Sequence, residues 1–470
     1  MKKDISPEAL AKELSESFAD SCDFALRQTL LPCGVTVYTA SFIVYCDKTY
    51  ISEAFLQPLL LVNDKKYLVS SITASKLMTL NEAEDAKKAL LGGCAVMFFE
   101  NDGELFIYTT DARSALNRSI SEPNGETVVR GPREGFVENA EVNVALLRKR
   151  IKTENLCVEK AFCGNVASTD IYIVYIKGVA DNKSVQRIKK RISEINLSGV
   201  IDSGYIEHTL GDSRYPLFPD VGNSEKPDKV AAKLLGGRVA VICDGSPIVL
   251  TVPYFFIESL LSAEDYLKSP YHATFLRIIR LLGTFIAVFL PGIYIALMEF
   301  DTAALPHTLY MTVKESRNDI PFTLFTEIAV ILIVFEIIRE VGVRMPRAVG
   351  DAVSIVAGII LGDAAIKAGI ASAPVIMVAA ISATCSFIAV PMMNSLPLLR
   401  LLCLVFARIF GLFGVTFFLI ATLSSLAVKT SCGKPYLSPF APLKVKGLYD
   451  SFILIPDIAL SGTQNETEVR

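Results

Sequence analysis

Two stretches constrain this chain more than any others. LLGTFIAVFLPGIYIALM (Leu281–Met298) and IFGLFGVTFFLIATLSSLAV (Ile409–Val428) hold no charged residue. Each is close to the ~20 apolar residues that a helix needs to cross a ~30 Å hydrocarbon core. The sequence between and around them, about Ala273–Val428, is dominated by apolar runs, whereas Met1–Ser269 is mixed and charged. The chain therefore reads as a large soluble head followed by an integral membrane domain. Its 470 residues allow two or three domains. The opening MKKDISPEALAKELSES has no apolar signal-peptide core, so the head is expected to stay cytosolic. A net charge of −3 and the lack of a basic stripe give no reason to expect nucleic acid. The ten cysteines lie scattered without a C-x-x-C pair, and the three histidines are far apart. Reduced thiols are expected, with no metal site and no disulfide framework.

The head divides into two α/β units, residues 1–155 and 156–270. In the first, Val35–Cys46 reads as a strand, Ile51–Val62 as a helix, and Gly93–Thr110 as a hairpin turning at Asn101-Asp102-Gly103. Val137–Ile151 reads as an amphipathic helix closing that unit. In the second, Ile171–Val179 is a strand and Asn182–Ile195 an amphipathic helix, with Val185, Ile188, Ile192 and Ile195 on one face. Arg238–Pro253 is a second hairpin, turning at Asp244-Gly245. The order of elements suggests related subdomains, although no clean fixed-period repeat stands out. Arg130–Phe136 (RGPREGF) could cradle an anion or pair with local acids. The Walker and G-x-G-x-x-G patterns are absent. Asp202 and Glu207 have no accompanying nucleophile or ligand set. No catalytic residue or cofactor is expected, and the chain does not read as an enzyme.

The membrane domain, residues 271–430, is all-α and polytopic with four to five apolar segments, and a tail follows at 431–470. The segments are about Phe275–Met298, Pro321–Pro346, Ala348–Ala368, Pro374–Met393 and Leu396–Val428, the last longer than one span needs. Ionised groups in hydrocarbon are costly, so Glu327, Glu336, Arg339 and Glu340 in the second segment stand out. Glu327 and Glu336, nine residues apart, face opposite sides of a straight helix. Glu336, Arg339 and Glu340 lie within about a turn and read as an ion-paired coupling cluster, with Glu327 left isolated. In the third segment Asp363 and Lys367 are spaced to pair. There Asp351, Ser354, Gly358, Leu361 and Ala365 share a small, weakly polar face. It suits either close helix packing or the lining of a water-filled path. Arg339, Arg344 and Arg347 fall inside by the positive-inside rule. Five full spans would put the lysine-bearing tail outside. Four spans plus a re-entrant third segment would bring it inside.

Beyond these patterns the chain resembles the GerA family, the A subunits of the germinant receptors of bacterial endospores. EPNGETVVRGPREGFVENAEVNVALLRKRI, STDIYIVYIKGVAD, VIDSGYIEHTL and NSEKPDKVAAKLLGGRVAVICDGSPIVLTVP carry the likeness in the head. LPGIYIAL, PFTLFTEIAVILIVFEIIREVGVRMP and the segment after it, and PYLSPFAPL carry it in the second half. The resemblance implies a subunit in the inner membrane of the spore, working with a transporter-like B subunit and a lipoprotein C subunit. It implies a homo-oligomeric ring that forms a nutrient-gated channel for monovalent cations. It places the pore lining on the third segment, here Asp351, Ser354, Ile355, Val356, Ala357, Gly358 and Leu361. A stage V sporulation paralogue shares the architecture. A secondary transporter or a signalling scaffold with a regulatory head is the alternative from composition alone.

Overall fold

The computed structural model describes residues 6–74, 76–101, 103–113, 125–126, 131–213, 216–345, 358, 360–444 and 451. The first head unit opens with helix α1 (Pro7–Ser17), whose first turn is capped by the Ser6 side chain. Strands β1 (Phe24–Leu30), β2 (Thr36–Phe42), β3 (Leu77–Leu80), β4 (Cys94–Asn101) and β5 (Glu104–Asp111) form an antiparallel sheet of order β1-β2-β4-β5-β3. Alternation divides each strand between two cores. Val96 and Phe98 face α1 and α2 (Ala83–Leu91), while Ala95, Met97 and Phe99 face the helical stretch 48–60. Burial on both faces is why β4 reads as a continuous apolar run.

The second unit repeats this plan. Helix α3 (Ala140–Arg150) precedes β6 (Leu156–Cys163) and β7 (Thr169–Ile176), and α4 (Asn182–Ser193) and α5 (Ser203–Leu210) follow. Then come β8 (Gly222–Ser224), α6 (Pro227–Leu235), β9 (Val239–Cys243) and β10 (Val249–Val252). The order β6-β7-β9-β10-β8 is that of the first sheet, strand for strand. Again two cores flank the sheet, with α3 and α6 on one face and α4 and α5 on the other. Both copies end the helix before the hairpin with Leu-Leu-Gly-Gly, at 90–93 and 234–237. The second glycine has φ +84° at Gly93 and +78° at Gly237, a conformation that favours glycine. One sequence expectation is corrected here. The helix within Val137–Ile151 does not close the first unit. Phe136, Val144 and Leu147 pack with Tyr172, Val174 and Ile242, so this helix opens the second unit. The boundary therefore falls ahead of Ala140, not near 155. The same helix also joins the two units. The Arg148 guanidinium, buried, donates from Nη2 to Asp23 Oδ1 at 2.7 Å and from Nε to Oδ2, and lies over the Phe42 ring.

The apolar half is a helical bundle. Helix α7 (Pro270–Glu299) leaves the head, and α8 (His307–Glu315) lies at the far end. Helix α9 (Leu324–Arg344) returns, the helical segment 360–367 runs outward, and α10 (Ala373–Cys385) comes back to Val390–Met392, beside Phe256–Ser259 of the head. The last helix, α11 (Leu396–Val428), is not one rod. Gly411 has φ 60° and ψ −140°, and the chain reverses there. The Phe406 ring lies 5.9 Å from Phe417 and 5.7 Å from Phe418. In a straight helix residues eleven apart are ~16 Å apart along the axis. The turn abuts Phe300, and Arg408 pairs with Glu299 at 2.9 Å, both at the far end of α7. The returning arm brings Phe418 against Phe289 and ends at the head.

Among the described residues, α7, α9, α10 and the two arms of α11 each run between the head end and the far end of the bundle, and the segment 360–367 ends beside Asp319 at the far end. The fifth apolar segment, read from sequence as a single long run, supplies the two arms. Residues 429–444 lie against the head. By length and composition α7 can cross a membrane as one helix, and α11 is as apolar but divided at Gly411 into two shorter arms. Large apolar side chains such as Phe285, Ile333, Ile337, Leu402, Phe413 and Ile420 face outward from the bundle. A soluble protein seldom shows so much exposed apolar surface.

Candidate functional site

The segment singled out as pore lining is only partly described. Asp351, Ser354, Ile355, Val356 and Ala357 lie outside the described residues. Gly358 is helical, and a Cβ added there would meet nothing within 4 Å. Leu361 is exposed on the same segment, and Asp363 pairs with Lys367 at 2.6 Å on an exposed face.

The charges of α9 sort differently from their spacing. Glu327 is not isolated. It is buried in the first turn of α9 and accepts from the Ser372 backbone N–H and hydroxyl, each at 2.6 Å. Arg317 donates to its other oxygen at 3.0 Å. A carboxylate at a helix N-terminus is further favoured by the helix dipole. Glu327 therefore ties the far-end loop, α9 and the start of α10 together. Glu336 pairs with Arg339 at 2.7 Å, and Arg339 donates to the Met393 carbonyl at 3.3 Å. Glu340 does not join them. It pairs with Arg344 at 2.6 Å on an exposed side.

Sequence reasoning gave no role to Arg400, which lies 3.8 Å from Glu336. Arg400 is buried between α7, α10 and α11. It donates to the carbonyls of Ala287 at 2.8 Å and Ser382 at 3.3 Å, and to the Ser386 hydroxyl. An arginine inside an apolar run was the available signal. Close packing lets α7 and α11 meet there. A Cβ at Gly292 would come 2.9 Å from Cys403 Sγ, so the glycine beside Pro291 permits the approach.

A dense set of buried polar contacts lies where head and bundle meet. At the start of α7, Asp265 is fully buried. It accepts from Arg280 at 2.6 and 2.8 Å and from Arg277 at 3.4 Å. Burial alone would raise the Asp265 carboxyl, but the Arg280 hydrogen bonds and charge hold it below the usual range. Alongside, Glu258 binds Lys233 at 3.0 Å and Arg238 at 3.1 Å, all three buried. At the end of α11 the chain passes straight into the second head unit. Thr430 Oγ1 donates to Asp212 Oδ2 at 2.6 Å, and the Gly433 N–H donates to the same oxygen at 2.9 Å. Arg191 holds Asp212 Oδ1 at 2.6 Å. Ser431 donates to the Asp220 carbonyl at 2.6 Å and accepts from the Tyr254 N–H at 2.8 Å. Cys432 sits in the core of the second unit. Burial raises the Asp212 carboxyl, and its bonds from Thr430, Gly433 and Arg191 outweigh that and lower it.

The remaining head candidates are structural. Asp202 caps α5, accepting from the Gly204 N–H at 2.8 Å and the Ser246 hydroxyl at 2.9 Å. Glu207 is shifted upward by burial. In the Arg130–Phe136 loop, Arg130 lies outside the described residues, and Glu134 pairs with Lys149 at 2.8 Å and Arg150 at 2.7 Å.

A duplicated α/β head, fixed without a linker to both ends of an apolar helical bundle, defines a two-part membrane-associated protein. The family described as Bacillus/Clostridium GerA spore germination protein matches residues 12–463, so the chain belongs to the GerA family. Spore germination protein KA of Bacillus subtilis (strain 168) is 34% identical over 471 residues, 96% of this chain and 85% of that protein. Spore germination protein A1 of the same organism is 33% identical over 443 residues, 92% and 90% of the two chains. Spore germination protein XA of Bacillus anthracis is 31% identical over 438 residues, 90% and 89%. Among solved structures, the N-terminal domain of the A subunit of the Bacillus megaterium spore germinant receptor GerK3 is 25% identical. It covers 54% of this chain and 96% of its own, with a TM-score of 0.42.

Proposed function

We propose that this chain is the A-type membrane subunit of a spore germinant receptor. In this reading it oligomerises into a nutrient-gated channel, and cation release through it starts germination. It performs no catalysis and holds no cofactor. It works with a transporter-like B subunit and a lipoprotein C subunit in the inner membrane of the spore, with its head in the cytosol. The observation that carries the reading is the family match across residues 12–463, together with relatives named as spore germination proteins over nearly their whole length. The charge distribution supports the orientation. Arg339, Arg344, Lys429 and Lys434 all lie toward the head end of the bundle, as the positive-inside rule prefers.

The pore is assigned to residues 351–361. Val356 or Leu361 forms an apolar constriction that stays dewetted until the helix turns slightly. Asp351 at the cytosolic mouth draws cations. Opening requires a partner that binds nutrient differently in the two states. Val356→Ala is expected to make the gate leaky, seen as germination without nutrient or as cation loss from cells expressing the chain. Wild-type behaviour across substitutions from Ser354 to Leu361 would sink the pore assignment. A strictly monomeric mass within the assembled receptor would sink the ring.

A further inference from the structure

Besides the apolar cluster that head and bundle share, two polar ties sit directly at helix ends. Asp265 grips Arg277 and Arg280 at the start of α7. Asp212 grips the segment just past α11, where the helix ends at Val428 and Thr430 is already bonded to the head. With one residue between helix end and tie, an axial shift of the returning arm must either drag the second head unit or break the Asp212 bonds. Asp212 is the node of that contact. One of its oxygens takes both strap donors, Thr430 Oγ1 and the Gly433 N–H. The other takes Arg191, at the end of α4. Its own N–H donates to Asp220 at 3.1 Å, and the Asp220 carboxylate lies 3.8 Å from the Lys429 ammonium. Between Val428 and Gly433 the strap is polar apart from Cys432, and the Asp212 bonds act there together with those of Ser431; further on, the buried Tyr436 packs against Phe256.

We propose that Asp212 is a positioning residue for gating: through Thr430 and Gly433 it sets the position of the last helical hairpin relative to the head and transmits movement between them. The proposal rests on the receptor reading above, and goes beyond it in naming the element that links head to bundle. It follows that losing the carboxylate frees Thr430 and Gly433 and loosens the coupling of the two parts without touching the pore segment. A covalent tie at the same place restores the coupling without a charge.

The test uses full-length chain in spores that keep its partners. Asp212→Ala is expected to raise the nutrient concentration for half-maximal germination by at least tenfold, at an unchanged amount of membrane-inserted chain. The double variant Asp212→Cys/Thr430→Cys, carrying Cys432→Ser to remove the neighbouring thiol, is expected to cross-link on mild oxidation. It should then respond near the wild-type concentration and fall to the Asp212→Ala level on reduction. A merely structural carboxylate would give no such redox-reversible response. A wild-type response from Asp212→Ala overturns the proposal, as does a double variant that fails to cross-link or cross-links without regaining response. If Asp212→Ala does not accumulate, the oxidised and reduced halves of one double-variant sample decide. The receptor reading fails separately, if deleting the chain leaves every nutrient response unchanged. In that case the tie itself is judged by cross-link yield alone.

Discussion

Arg148 shows how much one side chain can determine. It comes from the second unit, yet its guanidinium is enclosed by Asp23, Ser21 and the Phe42 ring of the first. Removing one partner of a buried pair leaves the other charged and unsolvated. Arg148→Ala is therefore expected to lower stability by about 3–5 kcal/mol. Asp23→Leu/Arg148→Met, which removes both charges and refills the space, should lose much less. The chain has no tryptophan, so unfolding is best followed by circular dichroism of the purified protein in detergent. Equal losses from the two variants would contradict this account. The sequence made the α9 charges legible as individuals, because helical spacing places Glu327 and Glu336 on opposite sides. It did not reveal their partners. Arg317, Ser372 and Arg400 come from other elements, and only the fold brings them near.

At the scale of elements, the reversal at Gly411 matters most. A Cβ there would lie 2.8 Å from the Phe300 ring, on a backbone at φ +60°. Gly411→Ala is expected to cost about 1–3 kcal/mol from strain alone and to lower the thermal midpoint of the detergent-solubilised chain. Gly362→Ala, where the new methyl would meet only Ile376 at 3.8 Å, should leave it nearly unchanged. Similar midpoints for both would mean that the hairpin turn does not depend on glycine. Sequence periodicity could not find this turn. Glycines inside apolar membrane helices are common, and FGLFG continues the hydrophobic run on both sides. Excess length was the one visible clue. The head was easier to read, since β-branched strands and Asp-Gly turns mark both hairpins. The order of elements suggested related subdomains, but the strand-for-strand repeat remained hidden because the connections differ, with helical stretch 48–60 in one copy and α4 plus α5 in the other. The repeated Leu-Leu-Gly-Gly was the signal that could have exposed it. The helix Ala140–Arg150 was assigned to the wrong neighbour because amphipathicity shows that a face is buried, not against what.

For the whole molecule, the head and residues 429–444 lie at one end of the bundle and residues 300–323 at the other. In a chain with the exposed Cys22 replaced, Thr308→Cys should react with an impermeant thiol reagent from the face opposite the head. Lys444→Cys should react only from the head's own face. Labelling of both from one side would refute this arrangement. The same arrangement has a consequence for how the protein is made. Asp212 and Thr430 are 218 residues apart, and every helix of the bundle lies between them in the chain. The head can be complete while its binding place for the strap is still vacant. Closure waits until the final hairpin has been inserted with its end on the correct face. A chain that skips or inverts one helix delivers Thr430 to the wrong compartment, and the carboxylate stays unclaimed. The last contact to form is thus an assembly checkpoint, which only a correctly threaded molecule can complete.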